Sequence, residues 1–234
     1  MSLLPRNELR LRLGPRHGAA IDERLAALAE AGRALPRRAS VCAEDEYVYY
    51  ATLPAPAHWK QAREAAGEHF SALLGEHDLL VDATLAPCGT RWIAAAVDAA
   101  LVQGWRESLA AHGVALQGLR TALLEDLWTL RARIALADGV LALVRSEGVS
   151  LVALAGGAVR DLAWERCEVD DLEVLAERIA SGAAELFAGD DNTQPVPVCL
   201  VPSAQGDLQA LRELCARRGW TLDEGLRSVA PDVA

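Results

Sequence analysis

Lysine is almost missing from this chain: Lys60 stands alone against 22 arginines. With 45 alanines beside them, this reads as a compositional bias of the whole coding sequence, so the arginines are not taken as selection for an anion. Positive charge is scarce in total. The formal net charge is −10, which excludes a general binder of nucleic acid or of anionic lipid. Aromatic residues are only 5% of the chain. No uncharged apolar run approaches the ~20 residues of a membrane helix. The opening MSLLPRNELRLRL has no apolar signal core, so the expected compartment is the cytoplasm. The five cysteines, Cys42, Cys88, Cys167, Cys199 and Cys215, are odd in number and widely spaced, which excludes a disulfide framework. None has a cysteine or histidine at zinc-ligand spacing, so they read as reduced and mostly buried small hydrophobes. The five histidines form no HExxH or HxH, and no metal or cofactor is expected. No GxSxG surrounds a serine, and neither Ser108 nor Ser203 has local support as a nucleophile.

What is present is a core-forming chain of 234 residues, 52% hydrophobic, carried by alanine and 37 leucines. Leu9, Leu11 and Leu13 alternate with Arg10 and Arg12, a half-buried strand stopped at Gly14-Pro15. Helical spacing follows over 22–35, a short strand over 40–43, and a charged turn at Glu44-Asp45-Glu46. The run 47–53 is strand-like by composition. A helix over 57–74, strands over 79–85 and 91–97, a helix capped by Asp98, a strand over 114–119 and a helix over 121–136 come next. From Gly139 the pattern changes to a three-strand meander over 140–144, 149–154 and 159–167. A helix over 170–186, a strand over 196–201 that carries Pro197 and reads as an edge or irregular strand, and a helix over 207–218 complete the chain. A strand-rich start followed by helix and strand thus occurs near residue 8 and again near 139. The expected class is α/β, built from two related halves.

Several clusters read first as architecture. Ser146-Glu147-Gly148 and Gly156-Gly157 are hairpin turns, because no helix N-terminus follows to hold a phosphate. Arg160, Asp161, Glu165 and Arg166 read as a solvated sheet face. Asp170, Asp171 and Glu173 suit the first turn of a helix. Asp190-Asp191-Asn192 lacks the spaced ligands of a calcium loop. Most of the six tryptophans read as core.

The order LxLGPxxxA, helix, RxxVxxEDEYVYYATLP, helix, GTRWIAAAVDAALVQGWRESLAAHGV, helix, VLALVRSEGVSLVALAGGAVRDLAWER resembles actin-like bacterial scaffold proteins. These are the type IV pilus assembly protein M (PilM) and the cytoplasmic domain of the type II secretion protein L (GspL). The resemblance spans about 9–219. It implies a ribonuclease H-like duplicated, two-lobed actin-like fold. The first half would be 1–137, with an inserted β-rich subdomain at about 44–112, and the second 138–234. It also implies a scaffold at the inner membrane, cytoplasmic and peripheral. Its protein partner would be the cytoplasmic tail of an inner-membrane protein or a secretion ATPase, with a homodimer also compatible.

The alternative within the fold is a nucleotide-dependent ATPase or kinase. Such proteins carry two Asp-x-Gly turns whose aspartates position Mg²⁺ and water. Here the first turn is Arg12-Leu13-Gly14 and the second lies at Arg145 or Ser146, with no aspartate at either. Val149-Ser150-Leu151-Val152 offers one hydroxyl, and no glycine pair follows Val201. An arginine at the metal corner is compatible with phosphate but cannot hold the Mg²⁺ that phosphoryl transfer uses. The expectation is no enzyme activity and no bound nucleotide. Recognition is instead expected at aromatics: Tyr47, Tyr49 and Tyr50, on both faces of one strand, and Trp59 beside a proline-rich helix start.

Overall fold

The computed structural model describes residues 8–15, 20–32, 34–53, 58–87, 89, 91–135, 137–188, 195–203 and 206–224. The first sheet is made of β1 (Glu8–Leu13), β2 (Arg38–Ala43) and β6 (Ala115–Thr121), parallel and in the order β1-β2-β6. Helices α1 (Ala20–Glu30) and α3 (Ala99–Ala111) pack on it. Leu11, Leu13, Val41, Ile21, Leu25, Trp105 and Leu109 are buried together there.

The second sheet has five strands: β7 (Gly139–Val144), β8 (Gly148–Ala155), β9 (Ala158–Arg166), β10 (Val198–Val201) and β11 (Thr221–Leu222). Their order is β11-β10-β7-β8-β9, with an antiparallel meander on one side and parallel strands on the other. Helices α5 (Leu172–Leu186) and α6 (Leu208–Arg218) cover one face, burying Leu151, Leu175, Ile179, Leu200 and Leu214. The linking helix α4 (Ala122–Ile134) covers the other, through Leu123, Leu127, Leu130 and Ile134. Every residue of β7 is therefore buried, and GVLALV reads as an unbroken apolar run, as a strand covered on both faces must.

A third sheet, β3-β5-β4, is antiparallel and sits between β2 and β6 in sequence: β3 (Tyr49–Leu53), β4 (Leu79–Leu85) and β5 (Trp92–Asp98). Helix α2 (Trp59–Leu74) buries Ala62, Ala66 and Phe70 against Leu53, Ala83, Ala94 and Ala96. The opposite face of β5 sends Ile93, Ala95 and Val97 into the cores of the other two sheets. Thr52 Oγ1 donates to Asp161 Oδ1 across the β3–β9 boundary (3.0 Å).

Several expectations are corrected here. The strand-rich opening belongs to the second half alone, because residues 14–19 between β1 and α1 are too few for a hairpin. The first helix ends at Glu30, in a turn at Ala31-Gly32. β10 is an interior strand, because Pro197 lies just outside it and uses its carbonyl to accept Val140 N–H (2.8 Å). Asp161 is half-buried under Thr52 rather than solvated. Trp128 points away from the buried stripe of α4 and is 46% exposed. Cys215 is buried, but Cys42, Cys167 and Cys199 are half-buried, and Cys88 lies outside the described residues. The acidic loop at 190–192 and the tail from 225 also lie outside them.

Gly156 and Gly157 form the β8–β9 turn at φ of 58° and 73°. A Cβ on Gly156 would meet open space, whereas one on Gly157 would lie 2.5 Å from the Ala135 carbonyl oxygen, at the end of α4. Gly156→Ala is expected to cost about 1 kcal/mol, the left-handed penalty alone. Gly157→Ala adds overpacking and should cost at least about 2 kcal/mol. Urea midpoints of the two variants test the difference.

Candidate functional site

Ligands of α/β sheets bind beyond the carboxyl ends of the parallel strands. In the first sheet that place is taken by the chain itself. After β2, Glu44 N–H donates to the Leu13 carbonyl (2.8 Å), and Asp45–Tyr47 coils into one tight helical turn. The carboxylates of Glu44, Asp45 and Glu46 reach three different sets of partners.

Asp45 is 1% exposed and holds four donors. Its Oδ1 accepts Tyr50 O–H (2.7 Å) and the Leu123 N–H (2.9 Å). Its Oδ2 accepts Arg145 Nε (2.6 Å) and Ser150 O–H (2.5 Å). Thr121, the residue before α4, makes no side-chain cap, so Asp45 caps that helix from 78 positions away, where the dipole favours an anion. Arg145, which follows β7, also donates from Nη1 to Asp126 Oδ2 of α4 (2.5 Å). Glu44 binds Arg12, near the end of β1. Glu46 Oε1 accepts both Ser146 O–H and Glu147 N–H (3.1 Å each) in the β7–β8 turn. One acidic turn thus ties β1, β3, α4 and the β7–β8 hairpin together.

The electrostatics follow from burial. Desolvation alone would lower the Arg145 pKa, but Asp45 and Asp126 outweigh it and hold the guanidinium charged. Arg12 behaves in the same way, with Glu44 as the opposing partner. Burial, and next the Asp45 charge, pushes the Tyr50 hydroxyl well above its ordinary value, so it remains a donor. Burial also raises the Glu46 carboxyl, whose Oε2 has no hydrogen-bond partner among the described residues. Arg145 Nη2 is likewise buried and without a partner among them. Chemically this is a closed ion-pair network. Both Asp45 oxygens are committed, neither guanidinium can act as a base, and no cluster of three metal-ligating side chains exists among the described residues.

The structure separates the four aromatics singled out from the sequence. Tyr47 is half-buried, its ring 5.8 Å from that of Trp105. Tyr50 spends its hydroxyl on Asp45. Tyr49 is 49% exposed on β3, and Trp59 is 46% exposed, with Nε1 donating to Asp82 on β4 (3.1 Å) and Arg63 over its ring. By register Tyr49 shares the face of Ala94 and Ala96 on which α2 packs, but at the β3 edge, whereas Trp59 begins α2 and reaches β4 at the opposite edge. Arg145, compatible with phosphate in the sequence, is engaged by two carboxylates instead. Sequence reasoning missed Asp45 and Asp126. The available signal was the acidic triplet at the end of a parallel strand, with arginine at both corners where aspartate was sought.

A meander-plus-parallel sheet, a related parallel sheet and a linking helix beside a cleft at the strand ends define the actin-like fold. No protein-family model and no curated protein sequence matches the chain. Among solved structures, the PilM-PilN type IV pilus biogenesis complex is similar with a TM-score of 0.58 at 17% identity, over 90% of this chain and 75% of that one. A Bacteroides thetaiotaomicron protein with actin-like ATPase fold and unknown function has a TM-score of 0.58 at 10% identity, over 96% and 94% of the two chains. The cytoplasmic domain of EpsL, an inner-membrane component of the Vibrio cholerae type II secretion system, has a TM-score of 0.41 at 11% identity, over 83% and 81%. The first two carry the fold assignment.

Two predictions follow from the network. Asp45→Ala removes one of the two carboxylates that balance buried Arg145 and strips the acceptor from Tyr50, Leu123 N–H and Ser150, and should cost about 3–5 kcal/mol in urea unfolding, whereas Asp126→Ala, which leaves Asp45 in place, should cost less. A carboxyl raised on folding stabilises most at low pH, and that contribution is lost as pH rises from the unfolded value through the folded one. Glu46→Gln should therefore be more stable relative to the parent at about pH 8 than at about pH 4, read from urea midpoints.

Proposed function

We propose that this protein is a non-catalytic actin-like scaffold of a type IV pilus or type II secretion platform, cytoplasmic and peripheral to the inner membrane. It would bind the cytoplasmic tail of an inner-membrane protein or a secretion ATPase. The observation that carries the non-catalytic reading is the commitment of Asp45 and Arg145 to each other where nucleotide phosphates would need free N–H groups and a metal-holding carboxylate. The likeness to the pilus complex supports the choice of machine. In this reading 1–137 is one actin-like half with an insert at about 44–112, and 138–234 is the other.

Partner contact is assigned to the exposed aromatics of the insert, Tyr49 and Trp59, while Tyr47 and Tyr50 hold the strand to the body. The competing reading is an ATPase or kinase of the same fold. A ligand at about 100 times its Kd adds about 2.7 kcal/mol to stability, which a thermal-shift experiment detects easily. The expected result with Mg·ATP is no shift, and saturable stabilisation would favour the ATPase. For the partner, co-expression with the cytoplasmic tail of a pilus or secretion inner-membrane protein should yield a co-purifying complex. Trp59→Ala and Tyr49→Ala should each weaken it by about tenfold or more, as aromatic interface anchors do. A complex unaffected by both substitutions removes these two residues from the interface.

A further inference from the structure

The two related sheets are unequal in one respect. Strands β1, β2 and β6 repeat the parallel set β7, β10 and β11 in order and direction. Beyond β7 the second sheet continues with antiparallel β8 and then β9. Beyond β1 the first sheet has no further strand among the described residues. The cause lies in the chain: residues 145–171 separate β7 from α5 and hold both meander strands, whereas only 14–19 separate β1 from α1. Among the described residues, the strand equivalent to an interior one is therefore an edge.

This edge carries charge at Glu8, Arg10 and Arg12 but neither a proline nor a bulge. Glu8–Leu13 contains no proline and no lysine, and it runs in unbroken register with β2. Leu11 and Leu13 face the core, with Leu9 packed against it, while Glu8, Arg10 and Arg12 alternate on the other face. Arg12 is held by Glu44, and Arg10 is exposed. The matching helices differ accordingly. Helix α5 fully buries five residues over its meander, whereas α1 fully buries Ile21 and Leu25.

We infer that the outer edge of β1 is a docking site for an antiparallel strand of a protein partner in which apolar residues alternate with acidic ones. The apolar residues would extend the Leu9, Leu11, Leu13 face, as β8 extends that of β7. The acidic residues would lie beside Arg10, the exposed cation of that face, and the ladder would supply sequence-independent hydrogen bonds. A second copy fits less well. In the two-fold register that pairs Glu8 with Arg12, Arg10 meets its own copy, and each chain carries a net charge of −10.

The test uses the full chain and a blocked eight-residue peptide of alternating valine and glutamate. Fluorescence anisotropy should show saturable binding, and amide exchange should slow at 8–13 but not at another sheet edge, 79–85. Replacing glutamate by lysine in the peptide, or Arg10→Glu in the protein, should weaken binding by at least about fivefold, consistent with one or two cross-strand charge pairs. N-methylation of alternate peptide nitrogens should abolish it. Absence of binding, equal binding of the lysine peptide, or protection only at 79–85 overturns the inference. Concentration-dependent protection of 8–13 in the chain alone, with a doubled mass in light scattering, would make the occupant a second copy and overturn the choice of partner.

Discussion

The carboxylate of Asp45 is the constraint on which the rest of the structure leans. It is buried, and a buried anion is tolerated only when donors replace the water it has lost. Four donors do so, from β3, the first turn of α4, the end of β7 and β8. Each belongs to a different element, so the carboxylate fixes the relative placement of both sheets and the helix that links them. Glu44 and Glu46, its neighbours in the chain, extend the same hold to β1 and to the β7–β8 turn.

The network also occupies the ends of the parallel strands, where ligands of α/β sheets bind. A phosphate site needs unpaired N–H groups and a metal needs unpaired carboxylate oxygens. Here arginine stands at both corners, and each guanidinium neutralises an acidic residue of the same turn. The ions are supplied by the protein and balanced internally. Such a network holds the sheets and the linking helix in one arrangement.

The small sheet presents Tyr49 and Trp59 near its two edges, above a core of Phe70 and the alanines of α2 and β5. The first sheet presents an open edge at β1. Both arise where the chain departs from a plain duplication: an insertion between β2 and β6, and a connection too short to supply a meander.

Much of the architecture was written in local order. Asp98, Asp171 and Asp207 cap the helices that follow them, and the apolar spacing of 79–85 and the meander turns located their strands, because caps, periodicity and turn chemistry act over a few residues. The α/β class and the absence of Asp-x-Gly turns were legible for the same reason. What only the tertiary structure decided was the meaning of the charges and of the aromatics. Glu44-Asp45-Glu46 reads as a solvated turn until α4, 78 positions away, and Arg145, 100 positions away, close over it. Tyr50 reads as a partner-contact candidate until its hydroxyl meets Asp45. Burial and ion pairing depend on which distant segments come together, and no local pattern of residues encodes that.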